Sequence, residues 1–241
     1  MKIRAAIFDV YGTLMEIGPP PPDPDASWRK LFQETFGTQP SFGWLDYSAA
    51  CKRVVERQHT DAKALGISFP EIVWPSIVRE VIPAFSKLSS QAREEFIFQQ
   101  VQIGRSLRLF PEAGRELKRL SDKGCALGIA SNAQQYTLRE LAETLSSAGA
   151  DFKLFDPELC VWSFKQGFSK PNPHVFQIVT TRLESRGISP AETIMIGDRL
   201  DNDIEPARAY GLQTWHLTSK PSIAPRSGDW KALTEWLKQA L

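Results

Sequence analysis

Four small polar groups recur along the chain, and together they have the makings of one reaction site: Asp9 with Thr13, Ser131 with Asn132, Lys170 before Pro171, and Asp198 with Asp203. A carboxylate is a usable nucleophile when an electrophile is held in line with it, and the acyl intermediate it forms divides one hard displacement into two easier ones. Asp9 would fill that role. Ser131, or the N–H of Asn132 beside it, would donate hydrogen bonds to an anionic group on a substrate, and Lys170 would add a fixed positive charge. Taken one at a time, each group also has an ordinary structural reading. A strand-end Asp is often a helix cap or a turn residue, Ser-Asn is a common way to begin a helix, and acids such as Asp201 and Asp203 suit the N-terminal end of a helix dipole. Lys170 alone could be a solvated loop lysine.

The elements that must position these groups are legible in the apolar pattern. A short apolar run over residues 4–8 ends at Asp9 and is followed by Gly12, which reads as a buried strand entering a tight turn. The proline run at 19–24 cannot supply N–H donors to a helix or sheet and is expected to form an extended linker. From about residue 26 to 104 the pattern is helical, with Trp28, Leu31, Phe32 and Phe36 on one face and Tyr47, Cys51, Val54 and Val55 on another. Beyond Phe110-Pro111, short apolar runs alternate with amphipathic stretches. Strands are predicted at 125–130, 193–196 and 214–217, and helices at 112–123, 133–148, 173–186, 204–210 and 230–241, several closed by glycine.

This alternation predicts an α/β fold, a doubly wound parallel sheet with right-handed crossovers. The expected organisation is a core domain formed by residues 1–18 and 105–241, with an all-helical domain inserted over residues 19–104. In open parallel sheets ligands bind outside the carboxyl ends of the strands, where Asp9, Ser131 and Asp198 would stand.

Composition narrows the function further. The 241 residues carry 29 Lys+Arg against 28 Asp+Glu, a formal net charge of +1. No global field draws the chain to nucleic acid or an anionic membrane, so any charged ligand, such as a small-molecule substrate, must be handled locally. Cys51, Cys125 and Cys160 are odd in number and lack metal-ligand spacing, which favours buried free thiols over disulfides or zinc. The few apolar residues at the start are too short for a signal peptide or spanning helix, and a cytoplasmic location is expected. His174 at a helix start, His216 at a strand end and His59 in a polar helix read as structural.

In combination, Phe-Asp9-Val-Tyr-Gly-Thr-Leu, Ala-Ser131-Asn, Ser-Lys170-Pro-Asn-Pro and Ile-Gly-Asp198-Arg-Leu-Asp-Asn-Asp203 resemble the four motifs of the haloacid-dehalogenase-like hydrolase superfamily. The resemblance spans both core segments, and the helical insert matches in position the cap domain these enzymes carry. It implies Asp9, Tyr11, Ser131 and Lys170 as catalytic positions, with Thr13, Ser131, Asn132 and Lys170 binding substrate and Asp9, Tyr11, Asp198 and Asp203 at the metal. An oxygen-lined site of Asp9, Asp198 and a backbone carbonyl near Tyr11 is what Mg2+ prefers. By resemblance Asp198 is a direct ligand, while Asn202 or Asp203 acts through a water or a neighbouring bond.

The pattern departs at position 11. Phosphatases of the superfamily carry a second Asp two residues after the nucleophile, which protonates the leaving group and then activates water. Here it is Tyr11, and a phenol of ordinary pKa about 10 is a poor replacement; losing a general acid typically removes ~10²–10⁴ in rate. That first motif looks like the 2-haloacid dehalogenases, whose halide needs no proton. The Gly197-Asp198 pair instead matches the Mg2+-dependent phosphatases. The expected function is a Mg2+-dependent phosphohydrolase acting on a small phosphorylated metabolite. The alternatives are a metal-independent 2-haloacid dehalogenase-like hydrolase and a catalytically weak binding or regulatory protein.

Overall fold

A computed structural model describes residues 2–241. In chain order the regular elements are β1 (Ala5–Phe8), β2 (Met15–Gly18), α1 (Pro24–Phe36), α2 (Trp44–Ala64), α3 (Trp74–Val81) and α4 (Ser90–Ile103). They continue with β3 (Ser106–Leu109), α5 (Ala113–Asp122), β4 (Ala126–Ser131), α6 (Gln135–Ser147), β5 (Cys160–Trp162) and α7 (Ser163–Gln166). The chain closes with α8 (Pro173–Glu184), β6 (Thr193–Gly197), α9 (Glu205–Ala209), β7 (Gln213–Leu217), β8 (Ser227–Gly228) and α10 (Trp230–Ala240).

Two compact units result. One comprises residues 1–16 and 108–241, the other residues 17–107. The first is built on a parallel six-stranded sheet of order β5-β4-β1-β6-β7-β8. β1 lies at its centre, paired with β4 (Phe8 against Ile129) and with β6 (Phe8 against Ile196), and all four of its side chains are buried. Side chains alternate across a strand, and the two faces are covered by different helices. Ala5 and Ile7 pack with Val175, Phe176 and Val179 of α8 and Ala207 of α9. Phe8, on the opposite face, stacks on Trp230 of α10 at 6.3 Å between ring centroids. Helices on both faces of a parallel sheet make this a doubly wound α/β core.

The second unit is helical and organised around Trp28 of α1, which is fully buried, stacks on Tyr47 of α2 at 4.5 Å and meets Phe96 of α4 edge-on at 6.1 Å. Its indole N–H donates to the Phe42 carbonyl at 3.0 Å. Not all of the proline run is linker: Asp23 caps α1 through the Ala26 N–H at 2.8 Å, and Pro24 takes the first helical turn, where a missing N–H costs nothing. The pairing of β2 with β3 was not signalled by the sequence, because strands of four residues carry too few alternations to stand out. Among the described residues, no helix is long and apolar enough to cross a membrane.

Candidate active site

The site is assembled at the carboxyl end of the sheet by the loops after β1, β4 and β6 and by the segment leading into α8. Asp9 directly follows β1, and its backbone N–H still donates to the Ile196 carbonyl at 3.0 Å, so the last rung of the ladder holds the nucleophile candidate in place. The chain then turns sharply, the Val10 carbonyl accepting from Leu14 and Met15 at 2.8 Å each. Gly12 sits in that turn with φ 78°, and a Cβ there would fall 2.4 Å from Asp198 Oδ2. Glycine thus serves two ends at once, adopting the left-handed turn and letting the Asp198 carboxylate lie against the loop.

Lys170 is the electrostatic hub. Its ammonium, nearly excluded from solvent at 4% exposure, donates to Asp9 Oδ1 at 2.7 Å and to Asp203 Oδ1 at 2.5 Å. Its backbone is gripped by the Asn132 side chain, which accepts from Lys170 N–H at 2.6 Å and donates to the Lys170 carbonyl at 3.0 Å. The peptide between Lys170 and Pro171 is cis. Burial alone would lower the lysine pKa, but the charges of Asp203 and Asp9 override it and hold the ammonium above its ordinary range.

Asp203 has both carboxylate oxygens engaged, Oδ1 by Lys170 and Oδ2 by the Arg199 N–H at 3.0 Å. The π-helical turn Leu200–Ile204 carries it back over Gly197, where a Cβ would come within 2.4 Å of its side chain. Burial raises its carboxyl to about 6 against the opposing pull of the Lys170 charge. Asp198 is less enclosed. Burial and then the nearby Asp9 charge raise its pKa, and its carbonyl accepts from His216 Nε2 at 2.9 Å. That makes His216 a support for the loop: its Nδ1 lies 2.6 Å from the Ser222 hydroxyl.

Asp9, Asp198 and Asp203 each offer an oxygen, and these atoms lie within 4.8 Å of one another. Against three carboxylates stands one ammonium, leaving two negative charges. Nearby, the Ser131 and Thr13 hydroxyls are buried and have no hydrogen-bond partner among the described residues. An unsatisfied buried hydroxyl costs about 1–3 kcal/mol, a cost a ligand oxygen would relieve.

Two motif side chains are engaged within the protein. The Asn132 amide is occupied with Lys170. The Tyr11 hydroxyl is bonded to α6, 2.8 Å from Thr137 Oγ1 and donating to Glu140 Oε2. Neither Thr137 nor Glu140 was singled out in the sequence; both fall on a helical face where polar residues read as solvated, yet they are 0% and 3% exposed. His174, by contrast, is exposed and bonded to its own neighbour Asn172.

The fold and this cluster of strand-end carboxylates define a doubly wound α/β core with an inserted helical unit. The profile of the haloacid dehalogenase-like hydrolase family matches residues 3–211, and the chain belongs to that family. It is 32% identical over 130 residues to the ribulose-1,5-bisphosphate 5-phosphatase of Halopiger xanaduensis, a match covering 54% of this chain and 50% of that protein. The chain thus spans about half the length of the curated relatives it matches. Among solved structures it is similar to the 2-haloacid dehalogenase from Pseudomonas syringae pv. Tomato DC3000, with a TM-score of 0.65, 20% identity, and coverage of 99% of this chain and 100% of that one. It is also similar to a haloacid dehalogenase-type phosphatase from Thermococcus onnurineus, with a TM-score of 0.58, 19% identity and 98% of both chains covered. At such identities the likeness is one of fold, shared by dehalogenase and phosphatase alike.

Proposed function

We propose that this protein is a Mg2+-dependent phosphohydrolase acting on a small phosphorylated metabolite, with Asp9 as its nucleophile. The observation that carries the reading is the gathering of Asp9, Asp198 and Asp203 within 4.8 Å around a single buried ammonium. Two uncompensated negative charges amid oxygen donors suit a small hard divalent cation. The similarity to a named sugar-bisphosphate phosphatase points the same way.

Each residue then has a task. Lys170 engages Oδ1 of Asp9, which leaves Oδ2 to attack phosphorus as the bond to the leaving group breaks. Ser131 and Thr13 present their unpartnered hydroxyls to the phosphoryl oxygens. Asp9, Asp198 and the Tyr11 backbone carbonyl would hold Mg2+, with Asp203 reaching it through water, since both of its oxygens already accept hydrogen bonds. When bound, Mg2+ polarises a phosphoryl oxygen and offsets charge in the transition state. Water then hydrolyses the aspartyl phosphate and regenerates Asp9.

The test is hydrolysis of p-nitrophenyl phosphate with Mg2+. Turnover is expected to stop with EDTA, return with added Mg2+, and vanish in Asp9→Asn with an unchanged circular dichroism spectrum; turnover indifferent to chelator would remove the metal assignment. Tyr11 at the acid position favours a second reading, a metal-independent 2-haloacid dehalogenase. That reading requires halide release from a 2-haloalkanoate in EDTA, and a flat chloride-electrode trace rejects it.

A further inference from the structure

The Tyr11 hydroxyl is enclosed by α6. It lies 2.8 Å from Thr137 Oγ1 and donates its proton to Glu140 Oε2. Thr137 is itself fixed, accepting from the Gln134 N–H at 3.1 Å as part of the capping box that starts the helix. Glu140 is 3% exposed, and its carbonyl accepts from the Thr144 hydroxyl, so the acceptor for the phenol sits in the packed interior of the helix turn. A hydrogen bond from a phenol to a buried carboxylate is of the strong, charge-assisted kind. The Tyr11 proton is therefore committed to Glu140 of α6.

Position 11 follows the nucleophile by two residues, in the turn that also carries Gly12. It has no carboxyl group of its own, and Asp203 is held by Lys170 and Arg199. Neither Tyr11 nor Asp203 is thus left with a proton for a group departing from phosphorus at Asp9. An alkoxide cannot leave readily on those terms, whereas a carboxylate can.

We propose that the Tyr11, Thr137 and Glu140 group makes this enzyme selective by leaving group, so that its substrates are phosphoryl donors whose leaving group departs as a stabilised anion, acyl phosphates foremost. The inference rests on the phosphohydrolase reading above and names its substrate class. In the first step an Asp9 oxygen bonds to phosphorus, the bond from phosphorus to the acyl oxygen breaks, and both electrons leave with the carboxylate; no proton moves. The second step obeys the same rule, because the aspartyl phosphate is itself an acyl phosphate and Asp9 departs as a carboxylate. Water supplies the new oxygen, hydrogen phosphate leaves with one of its protons, and the other passes to solvent.

The experiment is a leaving-group series in Mg2+, with enzyme-free rates subtracted: acetyl phosphate, p-nitrophenyl phosphate, phenyl phosphate and glycerol 3-phosphate. Acetyl phosphate is expected to exceed glycerol 3-phosphate in kcat/KM by ~10²–10⁴, the factor a general acid usually supplies. Log kcat/KM should fall along the series as leaving-group basicity rises. Tyr11→Asp should flatten that slope by raising the alkyl ester. Acetyl and glycerol phosphates turned over by the unaltered enzyme within tenfold of each other would overturn the proposal and leave the phosphohydrolase reading standing. No turnover of any member would end both.

Discussion

Asn132 and Lys170 are joined as a pair, the asparagine amide satisfying both the N–H and the carbonyl of the lysine backbone at 2.6 and 3.0 Å. The sequence distance is 38 residues, so the bond couples the loop after β4 to the approach of α8. An amide placed this way aims an ammonium that lies 2.7 Å from Asp9. Asn132→Ala should lower kcat by about a hundredfold, the usual consequence of a ~1 Å displacement in a reacting group, and change KM little. Steady-state kinetics separates the two parameters; a KM effect alone would make Asn132 a substrate contact instead.

Lys170 neutralises two acids in a site with almost no solvent. Lys170→Met keeps the length of the side chain and removes the charge. Loss of one partner from a buried ion pair typically costs about 3–5 kcal/mol. The variant should unfold at markedly lower urea concentration, with no measurable turnover. Unchanged stability would mean that water or counterions reach Asp9 and Asp203 more freely than their burial implies.

Gly12→Ala tests the approach of Asp198 to the nucleophile loop. The added methyl would lie 2.4 Å from Asp198 Oδ2, in a backbone conformation with φ 78°. Strain of this type is worth about 1–3 kcal/mol. The expected result is weaker Mg2+ binding by titration calorimetry together with a lower melting temperature. Binding equal to that of the unaltered protein would show that Asp198 takes no part in holding the cation.

The three cysteines are free and buried. Burial pushes the Cys125 and Cys160 thiols up to about 12, and raises that of Cys51. Because the thiolate is the reactive form, a raised pKa leaves them protonated at pH 8. Ellman's reagent should therefore find almost no thiol in the native protein and three in guanidinium chloride. Rapid native labelling would place at least one of them near solvent.

Where several candidate residues stand in the fold was readable from position alone. Asp9, Ser131 and Asp198 end or follow short apolar runs, and parallel strands deliver their ends to one edge of the sheet. Lys170 was less transparent, because it stands on no predicted element; only the loop ahead of α8 brings it to Asp9. The partners of Tyr11 were invisible, since nothing in a helical pattern says that Thr137 and Glu140 turn inward toward a loop 126 and 129 residues earlier. β5 escaped for a related reason. Three residues, Cys160–Trp162, are too few to show a period, and their strand character comes from pairing with β4.

The position of β1 has a consequence for how the chain is made. It precedes both of its neighbours in the chain, and its partners lie at residues 126–129 and 193–196, so it must wait unpaired while both are synthesised. The Trp230 indole, which donates to the Thr13 carbonyl at 2.9 Å, arrives later still. Contacts so distant in sequence are slow to form and leave apolar segments open to wrong partners meanwhile. Nascent chains arrested before α10 should accordingly depend on chaperones and gain the nucleophile loop only on release.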